Sequence, residues 1–188
     1  MKQNILPALK LTLICLIFFC GIYTLFIWAI AQTSTGNGEG ETVSVNGKVV
    51  GYVLEGQNFS SDRYFWSRPS AVGYNAAGSG GSNKGPTNPD YLKDVNSRID
   101  SFLVHNKMIR KEDIPSELVT ASGSGLDPDI SRQAAYIQVP RIAKTRGMTE
   151  DAVKALVEKH IHAPLMGLLG PEKINVLKLN IDLDNESK

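Results

Sequence analysis

The longest apolar stretch of the chain lies near its N terminus. No charged residue occurs from Leu11 to Gly38, and the 21 residues from Leu11 to Ala31 are mostly apolar. As a helix these residues would rise about 31 Å, which is enough to cross a bilayer. The pattern predicts one transmembrane helix over residues 11–31, after a short N-terminal segment of residues 1–10.

A short polar segment separates this helix from the rest of the chain. Residues 32–41 are small and polar, as in a flexible linker. The pattern after them predicts a domain over residues 42–188. Its first element is a hairpin, because two β-rich runs flank Asn46-Gly47, and this dipeptide supplies the positive φ angles of a type I′ turn.

Helical periodicity follows in the middle of this domain. Asn88 and Pro89 are typical of a helix start, and the apolar stripe after them predicts a helix that runs to about Asn106. The stripe consists of Leu92, Val95, Ile99, Phe102 and Leu103.

Two further helices are expected closer to the C terminus. One begins after Ser131 and contains Pro140, which forces a kink or a restart, and Gly147 ends it. Thr149 then caps the next helix. The expected inward residues of that helix are Ala152, Val153, Leu156, Val157 and Ile161.

The last element is predicted to be a strand. In "VLKLNIDL", Leu177, Leu179, Ile181 and Leu183 alternate with polar residues, as in a half-buried strand. We expect it to join the sheet of the hairpin. Strands at both ends with about three helices between them predict an α+β domain with an antiparallel or mixed sheet.

Charge asymmetry around the apolar helix predicts its orientation. Lys2 and Lys10 precede it, whereas Glu39 and Glu41 follow it and no Lys or Arg occurs before Lys48. The positive-inside rule therefore places the N terminus in the cytoplasm and the C-terminal domain outside.

The alternative is a cleaved secretory signal peptide. The "AIA" at Ala29–Ala31 fits a small-x-small cleavage site. However, the apolar run exceeds the 7–15 residues of an ordinary signal core, and Tyr23 and Trp28 lie near its outer end, where aromatic belts occur. A retained, single-pass helix in contact with lipid is the favoured interpretation.

Composition shows that the exported domain has neither disulfides nor a net charge suited to nucleic acid. Both cysteines, Cys15 and Cys20, lie within the apolar helix, so disulfides cannot stabilise the domain. Without Lys2 and Lys10 the chain has 18 basic and 19 acidic residues, a formal charge of −1. This balance gives no electrostatic footprint for nucleic acid.

The glycine-serine tract "GSGGSNKG" invites comparison with a phosphate-binding loop. It does not fit the pattern G-x-x-x-x-G-K-[ST], because Gly85 and Pro86 follow Lys84. No apolar strand leads into it, and ATP is a cytoplasmic ligand. The tract is more typical of a surface where two backbones come close together.

Two other candidate sites are alternatives. Ser122 or Ser124 with His105 and Asp127 would form a serine hydrolase, although "SGSG" is not a nucleophile elbow and is also typical of a turn. His160 and His162 could ligate a metal if a third ligand came from elsewhere, or could simply end a helix.

A helix-turn-helix is the alternative from another functional class. "IAKTRGMTEDAVKALVEKH" has Gly147 at the turn and a capped second helix, which would suggest a membrane-anchored DNA-binding regulator. Such a protein needs the domain inside the cell. Moreover, the candidate reading helix carries three acidic residues, Glu150, Asp151 and Glu158.

Four separated motifs resemble one known family. "YFWSRPSAVGYN", "SGGSNKGPTNP", "VTASGSGLDPDIS" and "QVPRIAKTRG" are similar, in order and spacing, to signatures of the C subunit of the bacterial Kdp-type potassium-transporting ATPase. The resemblance covers nearly the whole chain, from the single N-terminal helix to "VLKLNIDLD".

The resemblance implies an accessory, non-catalytic subunit of an ATP-driven potassium pump in the plasma membrane of a bacterium. Its partners would be a channel-like potassium-binding subunit and a P-type ATPase subunit, which handle potassium and ATP, so the chain would need no cofactor or metal of its own. The family is described as a catalytic chaperone that raises the ATP affinity of the pump. This would make Gln138 and Arg141 the first candidates for nucleotide contact.

The expected contact surface with partners starts at the aromatic cluster. Arg68 presents a rigid planar donor group beside aromatic residues, a composition typical of interface anchors, although ordinary core packing would also use the aromatics. The expected interface residues are Tyr64, Phe65, Trp66, Arg68, Pro69, Asn75, Gly80, Gly81, Ser82, Asn83, Gly85, Pro86 and Asn88.

The predicted orientation can be tested by thiol labelling in intact cells. We expect a cysteine introduced by Ser187→Cys to react with an impermeant thiol reagent, because the charge asymmetry places the C terminus outside. The two native cysteines lie in the apolar helix and provide the unmodified background. Labelling that appears only after lysis would contradict the orientation.

Overall fold

The computed structural model describes residues 2–186, with side chains from Asn4 onward, and divides between Glu41 and Thr42 into two compact units. The first unit is a helix in three parts: α1 (Lys2–Leu16), a π-helical segment (Ile17–Tyr23) and α2 (Thr24–Ala31). Within residues 4–31, a stretch of 18 residues reaches a mean hydropathy of 2.5, and none of it is buried. By length and composition this helix can cross a membrane, and it starts before the predicted apolar stretch.

The second unit opens with the predicted hairpin. Strand β1 (Thr42–Val45) pairs antiparallel with β2 (Lys48–Tyr52). Asn46 and Gly47 have φ angles of 52° and 77°, which confirms the turn prediction.

Helix α3 (Pro89–His105) also begins as predicted. The Asn88 side chain accepts a hydrogen bond from the Tyr91 N–H at 3.1 Å, and Pro89 occupies the first turn.

Pro140 causes a restart rather than a kink. Helix α4 (Arg132–Tyr136) ends before it, and α5 (Val139–Arg146) begins with Pro140 in its first turn, where no backbone donor is needed. Gly147, at φ 68°, ends α5 as expected. Thr149 caps α6 (Glu150–Lys159) through the Ala152 N–H. Ala152 itself is exposed, contrary to its expected inward position.

The prediction of a C-terminal strand is wrong. Residues 176–186 form helix α7 (Val176–Glu186). The Asn175 side chain caps it by accepting from the Lys178 N–H at 3.0 Å. Val176, Leu179, Asn180 and Leu183 are buried at helical spacing, which competes with the period-two alternation.

The expected pairing of this segment with the hairpin is therefore also absent. Among the described residues, the other sheet joins β3 (Asp129–Ile130) to β4 (Ile174–Asn175), antiparallel, with Asp129 opposite Asn175. The α+β class is confirmed, with more helix and less sheet than the pattern indicated.

One hydrophobic core joins these elements within the second unit. It is built from the buried faces of α4 to α7, from β3 and β4, and from Phe102 of α3. Phe65 has no exposed surface and brings the irregular segment before α3 into the same core.

Candidate functional site

The segment of residues 62–68 holds the aromatic cluster and has no regular secondary structure. Its backbone polar groups need partners wherever they are buried. Asn180 of α7 supplies two of them: its Oδ1 accepts from the Phe65 N–H at 2.8 Å, and its Nδ2 donates to the Phe65 carbonyl at 3.0 Å. Gln138 Oε1 likewise accepts a hydrogen bond from the Trp66 N–H at 2.8 Å. Two buried amides thus replace a neighbouring strand.

Arg141 extends this network with a charged group. Its Nη1 donates to the carbonyls of Asp62 and Tyr64, at 2.7 and 3.1 Å. Its Nη2 donates to Gln138 Oε1 at 2.8 Å, and its Nε donates to Asn106 Oδ1 at 3.0 Å. The guanidinium also lies over the indole of Trp66, 4.7 Å from the ring centroid.

The charge on Arg141 is nearly hidden from solvent, since only 3% of its side chain is exposed. Burial lowers the pKa of the guanidinium to about 10, and the Asp62 carboxylate, 3.8 Å away, partly opposes this. The group remains protonated at neutral pH. Loss of hydrogen-bond partners around such a buried cation strongly lowers the free energy of unfolding.

Arg146, at the end of α5, holds the beginning of the same segment. Its Nε donates to the Arg63 carbonyl and its Nη2 to Asp184 Oδ1, both at 2.7 Å. The guanidinium lies over the ring of Tyr64. The Tyr64 hydroxyl donates to Asp184 Oδ2 at 2.9 Å, and this bond, followed by burial, raises the pKa of the phenol.

Arg68 faces a different part of the domain. Its Nη1 donates to Asp127 Oδ2 at 2.8 Å, and the two side chains are 25% and 28% exposed. The Tyr74 hydroxyl donates to the Arg68 carbonyl at 2.8 Å. Within the described residues the buried Nε of Arg68 has no hydrogen-bond partner. Arg68 is therefore anchored on one side and remains accessible to solvent.

The first part of the glycine tract packs against the loop of residues 122–125. The Gly80 N–H and the Ser79 hydroxyl both donate to the Ser124 carbonyl, at 2.8 and 2.9 Å. Gly125 has φ 71°, and a Cβ there would lie 2.5 Å from Val72 Cγ2. These glycines permit a close approach of two backbones inside the domain. The rest of the tract, residues 82–87, is exposed.

The structure separates the sequence-predicted site residues into three environments. Phe65 and Gln138 are fully buried, and Arg141 nearly so. Trp66 packs edge-on against Phe102 and His105, with centroids 6.2 and 5.0 Å away. Residues that remain accessible or at the margin of the domain include Arg68, Pro69, Asn75, Ser82, Asn83, Gly85, Pro86 and Asn88.

Sequence reasoning missed Asn106, Arg146 and Asn180. Asn180 could have been noticed as a polar residue within an apolar helical stripe, but only if residues 176–186 had been assigned to a helix.

The residues of the hydrolase alternative have separate partners. Ser122 Oγ accepts from the Gly125 N–H at 3.0 Å, His105 Nδ1 lies 2.7 Å from Asp62 Oδ1, and Asp127 pairs with Arg68. Ser122, His105 and Asp127 therefore do not form the hydrogen-bonded chain of nucleophile, base and orienting group that a triad requires.

The metal and DNA-binding alternatives gain no support. His160 Nε2 lies 2.9 Å from Asp182 Oδ2, and the part of the chain that the structure describes holds no group of three or more metal-ligating side chains. Helices α5 and α6 are consecutive and pack against each other, but the first turn of α6 carries Glu150 and Asp151, which disfavour contact with a phosphate backbone.

A cleft of about 470 Å³ lies beside Arg141. Its walls come from the end of α3, the following loop and α5, and they combine apolar surface with two lysines, Lys107 and Lys144. Its volume is in the range of small-molecule sites.

Fold and site together define a class of protein: one apolar helix of membrane-spanning length precedes an α+β domain whose buried arginine and amide groups hold an irregular segment. A family model described as "K+-transporting ATPase, c chain" (KdpC) matches residues 5–185. The chain belongs to this KdpC family and is a subunit of a potassium-transporting ATPase.

Curated relatives match this chain over nearly their whole length. A potassium-transporting ATPase KdpC subunit of Flavobacterium johnsoniae is 56% identical over 182 residues, covering 97% of this chain and 98% of that protein. The KdpC subunit of Bacteroides fragilis is 50% identical over 185 residues, with 97% of both chains covered. That of Caldanaerobacter subterraneus is 41% identical over 189 residues, covering 100% and 98%.

Arg141→Lys tests the network around residues 62–68. A lysine cannot reproduce the planar fork, so buried acceptors lose their donors, and we expect the free energy of unfolding to fall by about 3 kcal/mol. Denaturant unfolding of the full chain in detergent measures it. Lys144→Met, at an exposed position of the same helix, is the control and should change stability by no more than about 0.5 kcal/mol. Equal effects of both changes would contradict the assignment.

Proposed function

We propose that this chain is a non-catalytic accessory subunit that supports the assembly of the potassium pump. The observation that carries the proposal is that the candidate reactive side chains are hydrogen-bonded or ion-paired to other groups of the domain. Arg141, Gln138 and Arg146 are engaged in holding residues 62–68. Ser122, His105 and Asp127 each have another partner. ATP hydrolysis would then belong to a partner subunit.

The proposed partners are the channel-like potassium-binding subunit and the P-type ATPase subunit. With the N terminus in the cytoplasm and the domain outside, the domain influences the pump through contact. Its formal charge of −1 is too small to concentrate potassium by its overall field. Bracing of the other subunits is favoured over shaping of the ion's path, because partly exposed carboxylates are screened over roughly 8 Å.

The proposed contact surface comprises Arg68 and the exposed part of the glycine tract, residues 82–87. Arg68 has a partly exposed guanidinium held in place by Asp127. Such a pre-positioned planar donor loses little conformational entropy when it binds a second acceptor. The exposed tract begins at Ser82, next to the point where Gly81 packs on the loop of residues 122–125.

Arg68→Ala separates binding from folding when compared with Asp127→Asn. Both changes remove the intramolecular ion pair, but only the first removes the guanidinium. We expect Arg68→Ala to weaken assembly by about 2 kcal/mol, roughly thirtyfold in Kd, and Asp127→Asn to have a much smaller effect. Co-purification of the pump subunits measures assembly, and thermal melting of the full chain measures stability. If both variants melt early and assemble alike, Arg68 acts only in the fold.

We further propose that the chaperone effect on ATP affinity is transmitted by contact with the ATPase subunit, without ATP binding to this chain. Gln138 is fully buried and the donors of Arg141 are occupied by protein acceptors. The outside placement of the domain also separates it from cytoplasmic ATP.

ATP should therefore not raise the melting temperature of the full chain. A Kd of about 10 μM would stabilise the fold by about 2.7 kcal/mol at 1 mM ATP, a shift of several degrees for a chain of this size. Thermal melting with and without ATP measures the shift. An increase that disappears in Lys107→Met or Lys144→Met would instead assign direct nucleotide binding to the cleft beside Arg141.

A further inference from the structure

Four large apolar side chains protrude between α6 and β4. Leu165, Met166, Leu168 and Leu169 are 67%, 87%, 86% and 63% exposed. We refer to residues 165–169 as the apolar tip. None of its side chains belongs to the core or to the contact surface proposed above. A patch of this kind on a folded domain usually marks an interaction site.

The apolar tip is an ordered turn. Leu165 and Leu169 exchange backbone hydrogen bonds of 2.9 and 3.0 Å, and the Leu168 N–H donates to the Leu165 carbonyl at 3.2 Å. Further down, His162 and Lys173 exchange bonds of 2.9 and 3.1 Å. The four side chains are therefore presented on a fixed backbone, which reduces the entropy lost on binding.

Met166 is an unfavourable choice for the turn itself. Its φ is 55° and that of Gly167 is 73°, the signs found at both central positions of type I′ turns. Asn, Asp or Gly are favoured at such positions because other side chains are strained there. Met166 is thus costly in backbone conformation and in exposed apolar surface. Both costs indicate that its side chain serves something outside the domain.

The chemistry of the apolar tip favours protein over lipid. From Ala163 to Pro171 there is no aromatic and no basic residue, whereas membrane-surface segments use Trp and Phe with Lys and Arg. The nearby cations are paired with carboxylates: Lys173 Nζ lies 2.8 Å from Asp129, and Arg132 lies 3.6 Å from Glu172. Methionine is enriched at protein interfaces and adapts to irregular pockets.

The size of the apolar tip indicates how it is used. Full burial of four Leu or Met side chains removes roughly 240–480 Å² of apolar surface, from the usual transfer energy per residue and per unit area. A stable free complex buries about 800 Å² per partner. The apolar tip alone therefore cannot hold a second copy of this chain. It can secure a partner already held nearby, where the effective concentration is high.

We propose that the apolar tip inserts into an apolar pocket on another subunit of the potassium pump. The proposal rests on the accessory function proposed above and adds a second contact to the surface at Arg68. Met166 and Leu168, the two most exposed side chains, are the principal anchors.

Met166→Asn provides a test in which folding and binding change in opposite directions. Asparagine suits a positive φ, so the melting temperature of the full chain should stay the same or rise. The affinity of the chain for the other pump subunits, measured by co-purification, should nevertheless fall about tenfold. We expect the same fall for Leu168→Asn. The matched control is Leu54→Asn, since Leu54 is 71% exposed but lies outside the apolar tip. Equal losses for Leu54→Asn and the two tip variants would overturn the proposal.

Co-purification of the native chain distinguishes a failure of this proposal from a failure of the proposed accessory function. If the native chain does not co-purify with the other subunits, the accessory function fails. If it does, and both tip variants co-purify equally well, only the docking of the apolar tip fails.

A fluorescent label identifies the occupant. Met166→Cys, in a chain also carrying Cys15→Ala and Cys20→Ala, can be labelled with an environment-sensitive dye and placed in phosphatidylcholine–phosphatidylglycerol vesicles. We expect the emission to shift to the blue only when the other pump subunits are present. A blue shift in vesicles with the chain alone would identify lipid, or a second copy if it depends on protein concentration, and would overturn the proposal.

Discussion

The domain depends on satisfying the backbone of residues 62–68, which enters the core without a neighbouring strand. Phe65 is fully buried, so its N–H and carbonyl need partners, and Asn180 provides both. On either side of Phe65, Gln138 accepts from the Trp66 N–H and Arg141 donates to the Tyr64 carbonyl. Because these side chains come from α5, its cap and α7, the positions of the helices and the path of the segment determine each other.

This arrangement separates the interior of the domain from its surface. The charged and amide groups that could perform chemistry are used to hold one segment, and buried networks that are fully bonded favour a single conformation. The accessible groups, such as Arg68 at the end of the segment, are thereby presented on a rigid base. Rigid presentation suits a subunit whose proposed role is to brace its partners, since little conformational entropy remains to be lost when contact forms.

Local sequence signals predicted the elements that have local causes. Turn chemistry predicted the hairpin at Asn46-Gly47. Capping chemistry predicted that α5 ends at Gly147 and that α6 begins after Thr149. The structure confirms all three. The error at α7 arose because its residues fit two periods at once. The partners of Phe65 could not be predicted, because Asn180 lies 115 positions away and a hydrogen bond at that separation leaves no local pattern.

The π-helical segment at Ile17–Tyr23 has a consequence for the apolar helix as a whole. A π turn inserts a residue into the α-helical repeat, and each residue rotates an α-helix by about 100°. A stripe of side chains that runs straight along α1 therefore does not continue along α2. Two neighbouring helices in the bilayer, one packed against each half, can each meet a face of different composition. A single helix packed along the whole length would instead meet one face of α1 and a different face of α2.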